Sequence, residues 1–449
     1  MNTSWRKTAR VKLWMGNMPK KQIEQIGPLV IDRSEGIYLY DNDGDRYIDA
    51  MSGAWVVNVG HGRRAIADAM HQQAKKMPFV LNEGYTNQTT LQLTERLLNL
   101  VPGNFDRVFF TSGGSEAVET ALKMVRQKWA VQGTPKHKVI ARSLSYHGAT
   151  WGAMSVSGFP DWRWPFAPPV PGASFINPPT CYRCPFNKTY PDCGVECATE
   201  LETAIVKANP EKVGAVIAEP ISAASSAHVP PAEYWGIIRS ICSKYEIPLI
   251  SDEIVTGFGR TGKMFGMEHW NITPDIMVIG KGVTSGYSPL AAVLAPKEIT
   301  DALDEDGFVH GFTFSGHPVA CAAALANIQI LTDENLTANA ASQGKYLKQI
   351  LSSELEESEI VGDIRGKGLL LSIELVKDRS TQERFSNPSA VAEALKPIFM
   401  EHKVLCRVGP QIRLGPPLSI SKAEIEQLAE GIISSIREFE FHAMKSLEV

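Results

Sequence analysis

The chain has 449 residues, of which 44% are hydrophobic and 21% charged, and its formal net charge is -4. This length exceeds the usual size of a single hydrophobic core, so two or more domains are expected. The weakly acidic balance and the absence of long runs of like charge argue against nucleic acid as a partner and favour small metabolites.

The N-terminal stretch "MNTSWRKTARVKLWMG" is basic but lacks the continuous apolar segment of a secretory signal. No apolar run in the chain is long enough to span a bilayer. We therefore expect a cytoplasmic protein with no membrane partner. The following stretch, "EGIYLYDNDGDRYIDAMSG", predicts a β-hairpin that turns at Asn42, Asp43 and Gly44.

The middle of the chain alternates apolar, strand-like runs with helical ones. The runs that predict strands buried on both faces are "RVFF", "HKVIAR", "VGAVIAEP", "IPLISDE" and "IMVIG". Helical spacing separates them, as in "SEAVETALKMVRQKWA" and "AEYWGIIRSICSKYE". This alternation indicates an α/β protein with a large, doubly wound, mostly parallel sheet covered by helices.

Both ends of the chain differ from the middle. After about Asn327, long helices mix with the strand-like runs "GLLLSIEL" and "QIRLGPPL". We predict a smaller α/β lobe assembled from both termini. The predicted division is residues 1–60 for the N-terminal part of the smaller lobe, 61–326 for the large domain and 327–449 for the C-terminal part.

The stretch "TSGGSEAVETALK" places two glycines and a serine ahead of a helix. Gly113 and Gly114 permit a tight turn, Ser115 offers a hydroxyl, and the helix N-terminus presents unpaired N–H groups and a positive dipole end. A phosphate is the natural ligand for such a site. The alternative is an ordinary helix cap formed by Ser112 or Ser115.

Two segments further along contain residue types that often take part in chemistry. In "SYHGAT", Tyr146 is an aromatic residue able to stack on a ring, and His147 either assists it or is structural. In "CYRCPFNKTYPDCGVEC", the residues Cys181, Cys184, Cys193 and Cys197 have a spacing that four zinc ligands could adopt. Reduced thiols in a surface loop, or a local redox pair, explain the same spacing. Any zinc there would be structural, and no metal ligand is assigned to an active site.

Two ionisable residues close predicted parallel strands, where ligands bind in open α/β sheets. Asp252 ends "IPLISD", and Lys281 ends "IMVIGK" in an apolar, glycine-lined setting. Loss of hydration lowers the pKa of a buried lysine, so its amine can form a Schiff base with an aldehyde. Together with a phosphate site and an aromatic residue, this pair predicts pyridoxal 5'-phosphate, whose ring nitrogen pairs with a carboxylate.

The segment "SDEIVTGFGRTGKMFGMEHWNITPDIMVIGKG" resembles the signature of the class III pyridoxal-phosphate aminotransferases, which have fold type I. The resemblance extends from "EGIYLYDNDGDRYIDAMSG" to "IRLGPPLSISKAEIEQL", nearly the whole chain. It implies that Lys281 forms the Schiff base and that Asp252 pairs with the ring nitrogen.

The resemblance implies further cofactor contacts. Gly113, Gly114 and Ser115 would bind the phosphate, with Tyr146 on one face of the ring and Ile254 on the other. Glu219, in "IAEP", matches a glutamate near the ring hydroxyl. Thr313, in "GFTFSGHP", matches a threonine that reaches the phosphate of the neighbouring subunit. A homodimer with shared active sites is therefore expected, with a tetramer as a larger alternative.

The resemblance also bears on the substrates, a small-molecule amino donor and a keto acid acceptor. Arg413, in "IRLGPPL", matches an arginine that binds a substrate carboxylate, and Arg407 is the rival for this role. Ala224 stands where ornithine- and 4-aminobutyrate-type members have a shielding glutamate. Trp55 resembles the pocket tryptophan of the ω-amine:pyruvate and taurine:pyruvate members. The cysteine-containing loop also resembles the taurine:pyruvate branch.

These features predict an aminotransferase that moves an amino group from an ω-amino acid or amine, such as taurine or β-alanine, to pyruvate. One alternative is a decarboxylating transaminase, because "GDIRGKGLLLSIELVKDRSTQE" is similar to dialkylglycine decarboxylase. That enzyme uses a glutamine where this chain has Ala54 and Trp55. A second alternative is an aminomutase or epimerase of the same fold, which would need no second substrate.

Overall fold

A computed structural model describes residues 3–16, 23, 27–304 and 307–443. Its strands are β1 (Ile31–Glu35), β2 (Tyr38–Asp41), β3 (Arg46–Asp49), β4 (Phe105–Thr111), β5 (Lys138–Arg142), β6 (Ala173–Ile176), β7 (Val213–Ala218), β8 (Leu249–Asp252), β9 (Ile276–Ile279), β10 (Ala291–Pro296), β11 (Val361–Lys367), β12 (Leu370–Leu375), β13 (Val404–Leu405) and β14 (Gln411–Leu414).

The α-helices of the described residues are α1 (Thr3–Val11), α2 (Arg64–Lys76), α3 (Gln88–Leu100), α4 (Gly114–Val131), α5 (Trp151–Ser155), α6 (Pro160–Arg163), α7 (Glu196–Ala208), α8 (Tyr234–Lys244), α9 (Lys297–Asp304), α10 (Pro318–Asp333), α11 (Leu336–Glu354), α12 (Pro388–Glu401) and α13 (Lys422–Glu438). A kinked turn (Ser52–Trp55) and a single 3-10 turn (Lys281–Val283) belong to the candidate site. None of the described helices combines the length and apolar character needed to cross a membrane.

The central sheet has seven strands in the order β4-β10-β9-β8-β7-β5-β6. Strand β10 is antiparallel to both of its neighbours, whereas β9, β8, β7, β5 and β6 run parallel. Every residue of β7, β8 and β9 is buried, because helices cover both faces of the sheet. The predicted doubly wound, mostly parallel α/β sheet is therefore confirmed.

The predicted hairpin is formed by β2 and β3, which pair antiparallel. The Asp41 carboxylate accepts hydrogen bonds from the N–H groups of Asp43 and Asp45, and Gly44 has a φ of 91°, which glycine adopts without strain. Strand β13, from the other end of the chain, pairs parallel with β3. Residues from both termini thus share one sheet, while the domain boundaries themselves stay predictions.

A third, antiparallel sheet has the order β11-β12-β14. It contains the two predicted strand-like runs of the C-terminal part, and every residue of β12 is buried. Helices α11 and α13 pack against each other beside this sheet. The turn between β11 and β12 is tied to the loop between β8 and β9, since the Leu369 N–H donates to the Arg260 carbonyl.

Candidate active site

The largest group of predicted site residues surrounds one cavity of about 1080 Å³. The predicted residues that line it are Trp55, Gly114, Ser115, Tyr146, His147, Glu219, Asp252, Ile254, Lys281, Arg407 and Arg413. Neighbouring parallel strands explain much of this convergence, since β5, β7, β8 and β9 deliver their carboxyl ends to the same edge. Two of the predicted site residues, Gly113 and Thr313, do not line this cavity.

Lys281 follows β9 after the single residue Gly280 and has a φ of 40°, which is unusual for a residue with a Cβ. Burial lowers the pKa of its amine to about 8; the charge of Asp252 opposes this lowering, and the charges of Arg407 and Arg260 add to it. Its Nζ lies 5.4 Å from the centre of the Trp55 ring. The amine is therefore closer to its neutral, nucleophilic form at neutral pH than a surface lysine would be.

Asp252 is the last residue of β8, and both of its carboxylate oxygens have partners. His147 Nδ1 lies 2.7 Å from Asp252 Oδ2, and the Ile254 N–H donates to Oδ1 at 3.1 Å. Both side chains are buried, with 1% exposure for His147 and 3% for Asp252. The histidine Nε2 is buried and has no hydrogen-bond partner among the described residues. The structure thus makes His147 a direct neighbour of the carboxylate, a contact that the sequence left open.

The N-terminus of α4 lines the cavity through Gly114 and Ser115. Gly113 is its N-cap residue and has no side chain to form a cap, so the alternative of a cap at that position by Ser112 or Ser115 is wrong. The Ser115 Oγ instead accepts a hydrogen bond from the Ala149 N–H at 3.0 Å. A Cβ on Gly114 would lie 2.7 Å from Ile254 Cδ1, so only glycine fits there without displacing that side chain.

Glu219 follows β7 and forms a buried ion pair that the sequence did not predict. Its Oε2 lies 3.2 Å from Arg142 Nη2, and its Oε1 accepts from the Tyr146 N–H at 3.3 Å. Arg142 is the last residue of β5 and is 1% exposed. Burial raises the pKa of the Tyr146 hydroxyl, and the ring of Trp162 packs edge-on against Tyr146 at 5.3 Å. Glu219 therefore links Arg142, through one carboxylate oxygen, to the backbone N–H of Tyr146, through the other.

Trp55 lies on the kinked turn Ser52–Trp55 and has a φ of 57°. Its Nε1 donates to the Leu414 carbonyl at 3.3 Å, and a Cβ on Gly415 would lie 2.3 Å from its Cδ1. Arg260, buried and also missed by the sequence, donates to Asn58 Oδ1 at 2.7 Å and to Ser52 Oγ at 3.3 Å. The buried arginine thus holds Ser52 of the turn that carries the tryptophan, and Gly415 leaves room for the ring.

Arg407 and Arg413 lie side by side, because their backbones form an antiparallel bridge. Burial, followed by the charge of Arg407, lowers the pKa of Arg413 to about 10. Arg413 Nε is buried without a hydrogen-bond partner, and within the described part of the chain neither guanidinium forms an ion pair. Two adjacent cations without a carboxylate partner favour an anionic ligand between or beside them.

Thr313 is exposed at the surface and does not line the cavity of its own chain. The neighbouring Phe314 is also exposed, and its ring packs edge-on against exposed Phe79 at 6.0 Å. Ser315, in contrast, is buried and donates to the Phe110 carbonyl. The segment is therefore anchored by Ser315 while it presents Thr313 and Phe314 outward.

The four clustered cysteines line a separate, small cavity together with prolines and Phe186. All four are free thiols, and burial raises the pKa of Cys197 to about 12. Across residues 3–16, 23, 27–304 and 307–443, no group of three or more potential ligands is arranged to hold a metal ion. The zinc alternative therefore finds no support in the arrangement of these thiols.

Comparison with known proteins places this geometry in context. The family model described as aminotransferase class-III matches residues 20–436. Putrescine–pyruvate aminotransferase of Pseudomonas aeruginosa is 38% identical over 91% of this chain and 90% of its own length. Taurine–pyruvate aminotransferase of Bilophila wadsworthia is also 38% identical, over 92% of each chain.

Solved structures give the same result. An (S)-enantioselective omega-transaminase from Thermomicrobium roseum has a TM-score of 0.95 and 40% identity, covering 97% of this chain and 98% of its own. The omega-transaminase of Pseudomonas jessenii in complex with PMP has a TM-score of 0.94 and 33% identity, covering 98% and 99%. The chain is thus similar to these proteins over nearly its full length.

Proposed function

The chain belongs to the class III aminotransferase family, whose members depend on pyridoxal 5'-phosphate, and from this premise we propose that it transfers the amino group of an ω-amino acid or amine to pyruvate. The observation that carries the choice of substrates is the pair Arg407 and Arg413, two guanidiniums without an acidic partner in the cavity that contains Lys281. The relatives named for putrescine, taurine and pyruvate support the same choice.

The residues present fit the cofactor. The cavity joins a lysine with a lowered pKa, a buried carboxylate and the glycine-containing N-terminus of α4, where a Cβ on Gly114 would meet Ile254. We propose that Lys281 binds the aldehyde, Asp252 the ring nitrogen, and Gly113, Gly114 and Ser115 the phosphate. Tyr146 and Ile254 would contact the ring, with Glu219 near its hydroxyl. When bound, pyridoxal phosphate withdraws electrons from the amino-bearing carbon of the substrate and so weakens its C–H bond.

Lys281 is the proposed general base. A pKa of about 8 leaves a useful fraction of its amine neutral near pH 7, so Nζ can accept the proton from the amino-bearing carbon of the donor. Asp252 lines the same cavity. His147 positions that carboxylate through the 2.7 Å contact with Nδ1.

Arg407 or Arg413 would bind the carboxylate of pyruvate, since a guanidinium pairs with a carboxylate through two parallel hydrogen bonds. Ala224 also lines the cavity and offers no negative charge to shield either arginine. Trp55 provides a flat apolar wall beside Lys281. This combination suits an amine donor whose acidic group, such as a sulfonate or carboxylate, is distant from the amine or absent.

The exposed surface around Thr313 supports a homodimer. Phe79, Leu81 and Phe314 are large hydrophobic side chains that water contacts in the single chain. Grouped exposed apolar residues favour association. We propose that a second copy covers them and that Thr313 completes the phosphate site of that copy.

Alanine formation from pyruvate and single amines tests the proposed function. The panel would contain taurine, β-alanine, putrescine and an aryl-alkyl amine, assayed with the wild-type chain and with Lys281→Ala. Pyruvate-dependent alanine formation that Lys281→Ala abolishes is the expected result. Donor turnover without pyruvate would instead indicate an isomerase, and carbon dioxide release from a dialkylglycine would indicate the decarboxylating alternative.

A further inference from the structure

We propose that Arg365, which does not line the cavity, is a positioning residue that holds residues 221–228 against Trp55 and thereby determines how well the amino donor fits. This inference rests on the proposed function, because it concerns the donor pocket of the same site. Residues 221–228 are called the wall segment below. Its residues Ala223 and Ala224 line the cavity directly.

The wall segment packs against the pocket tryptophan. Ile221, Ala223 and Ala227 belong to one buried cluster with Met51 and Trp55. Small side chains at Ala223 and Ala227 bring this backbone close to the tryptophan, so a displacement of the segment changes the space behind the ring. A change in that space alters how tightly the amino donor binds, which the KM of the donor reports.

The backbone of the wall segment is strained. Ser226 has a φ of 82° and Ala227 a φ of 53°, both in the left-handed region that residues with a Cβ rarely adopt. Both residues are buried, with exposures of 2% and 1%. Two consecutive strained residues persist only when surrounding contacts hold them, and the Ser226 carbonyl needs a donor because water does not reach it.

Arg365, on β11, supplies that donor. Its Nε donates to the Ser226 carbonyl at 2.7 Å, while its Nη1 lies 2.7 Å from Glu374 Oε2 and 2.9 Å from Asp363 Oδ2. The residue is 9% exposed. A planar guanidinium donates in two fixed directions at once. Glu374 and Asp363 therefore orient the guanidinium whose Nε binds the Ser226 carbonyl. A lysine, which carries a single nitrogen, cannot span both partners.

The network continues outward to the cysteine-containing loop. Arg183, between Cys181 and Cys184, donates from Nε to Glu374 Oε1 at 2.7 Å and from Nη1 to the Gln382 carbonyl at 2.8 Å. Glu374 is 4% exposed and therefore lies buried between two arginines. The loop thus contributes an outer anchor to the network that ends at the wall segment.

The test compares Arg365→Lys with Arg239→Lys in the full-length holoenzyme. Arg239 is a matched control, because it also forms a partly buried ion pair, 2.6 Å from Asp275, and does not line the cavity. We expect Arg365→Lys to raise the KM of the donor about tenfold while kcat, the KM of pyruvate and the absorbance of bound cofactor change less than about twofold. Arg239→Lys should change none of them.

Hydrogen exchange measured by mass spectrometry gives a readout that needs no turnover. Peptides that cover the wall segment should exchange severalfold faster in Arg365→Lys and at an unchanged rate in Arg239→Lys. Unchanged exchange, or an unchanged donor KM in an active enzyme, would overturn the positioning role. Equal losses of kcat for all substrates together with loss of cofactor would overturn it too, since they would indicate a general structural role.

A second variant covers the case in which Arg365→Lys does not fold. Arg183→Gln removes the outer anchor from a less buried position and should raise the donor KM in the same direction, by about threefold. An unchanged KM in that variant would also count against the network. If the wild-type protein formed no alanine with any amine of the panel, the proposed function would be contradicted. Hydrogen exchange would still decide whether Arg365 holds the wall segment.

Discussion

At the scale of single residues, burial of Lys281 reduces the stability of the folded chain, and this loss can be measured without any substrate. Burial lowers the pKa of Lys281 to about 8 from its usual 10.5. The free energy of unfolding is therefore reduced whenever this amine carries a proton, and this reduction is the penalty of burial. The penalty is fully present below pH 8 and disappears as the pH rises towards 10.5.

Replacement of Lys281 by Met should therefore stabilise the cofactor-free chain. At pH 7 we expect the free energy of unfolding to rise by about 1–3 kcal/mol, measured by chemical denaturation. The gain should shrink between pH 8 and pH 10.5 as the wild-type amine loses its proton. Lys297→Met, at an exposed lysine that pairs with Asp301, should bring no such gain. A gain for Lys281→Met that does not depend on pH would contradict the assigned burial of charge.

A second prediction concerns the glycine that accommodates Trp55. Gly415→Ala would place a Cβ 2.3 Å from Trp55 Cδ1, so the ring must move and its hydrogen bond to the Leu414 carbonyl is lost. We expect kcat/KM for the amino donor to fall about tenfold or more. Gly236→Ala, in helix α8 with no atom near the new Cβ, is the control. Equal kcat/KM values in the two variants would show that the tryptophan does not shape the pocket.

Residue types with distinctive chemistry were predictable, and their supporting partners were not. Lys281 and Asp252 were found because a charged residue at the end of an apolar strand is conspicuous. Arg142, Arg260 and Arg365 were missed because an arginine in a sequence gives no sign that it will be buried. Their partners are up to 208 residues distant, as for Arg260 and Ser52, and only the tertiary fold brings such pairs together.

At the scale of elements, the loop after β5 packs tightly on the N-terminus of α4. Gly148 has a φ of 138°, and a Cβ there would lie 2.7 Å from Ser115 Oγ and 2.9 Å from Ala153 Cβ. The hydrogen bond from Ala149 N–H to Ser115 Oγ depends on this close approach. The loop therefore sets the position of the serine at the proposed phosphate site.

Gly148→Ala should weaken cofactor binding. We expect the affinity for pyridoxal phosphate to fall about tenfold, which corresponds to about 1.4 kcal/mol, measured from cofactor absorbance after dialysis. Gly133→Ala tests backbone strain alone, because Gly133 also has a positive φ, of 70°, but a Cβ there meets no atom within 4 Å. Full cofactor retention in Gly148→Ala would argue against a phosphate site at α4.

Most strands of the central sheet were predicted, because burial on both faces gives continuous apolar runs such as that of β9. Strands β6 and β10 were not named. The sequence of β10, "AAVLAP", is rich in alanine, which has no preference for strands, and its antiparallel direction depends on pairing with β4 and β9. Direction and neighbours of a strand are tertiary properties that a local pattern does not contain.

At the scale of the whole molecule, the proposed dimer predicts two separable phenotypes. Phe314, which is 57% exposed in the single chain, should be buried by the second copy. Phe314→Asp should therefore yield monomers in analytical ultracentrifugation, with reduced cofactor retention, because a buried unpaired charge opposes association. Val206→Asp, at a similarly exposed residue of α7, should remain dimeric.

Thr313→Ala separates assembly from cofactor binding. It removes one hydroxyl from the surface without adding a charge, so we expect an intact dimer with a cofactor affinity reduced about threefold to tenfold. The measurements are sedimentation and cofactor absorbance on the same sample. Unchanged cofactor affinity in Thr313→Ala would show that this threonine does not contribute to the phosphate site of the neighbouring subunit.

The central claim is that a donor amine and pyruvate react in turn at Lys281. The most direct test is the absorbance of the holoenzyme while single amines are added without any keto acid, followed by pyruvate. The account predicts that a suitable amine removes the absorbance of the lysine-bound cofactor and that pyruvate restores it with formation of one alanine per site. An absorbance that pyruvate fails to restore, or that recovers without alanine, would contradict a pyruvate-dependent aminotransferase.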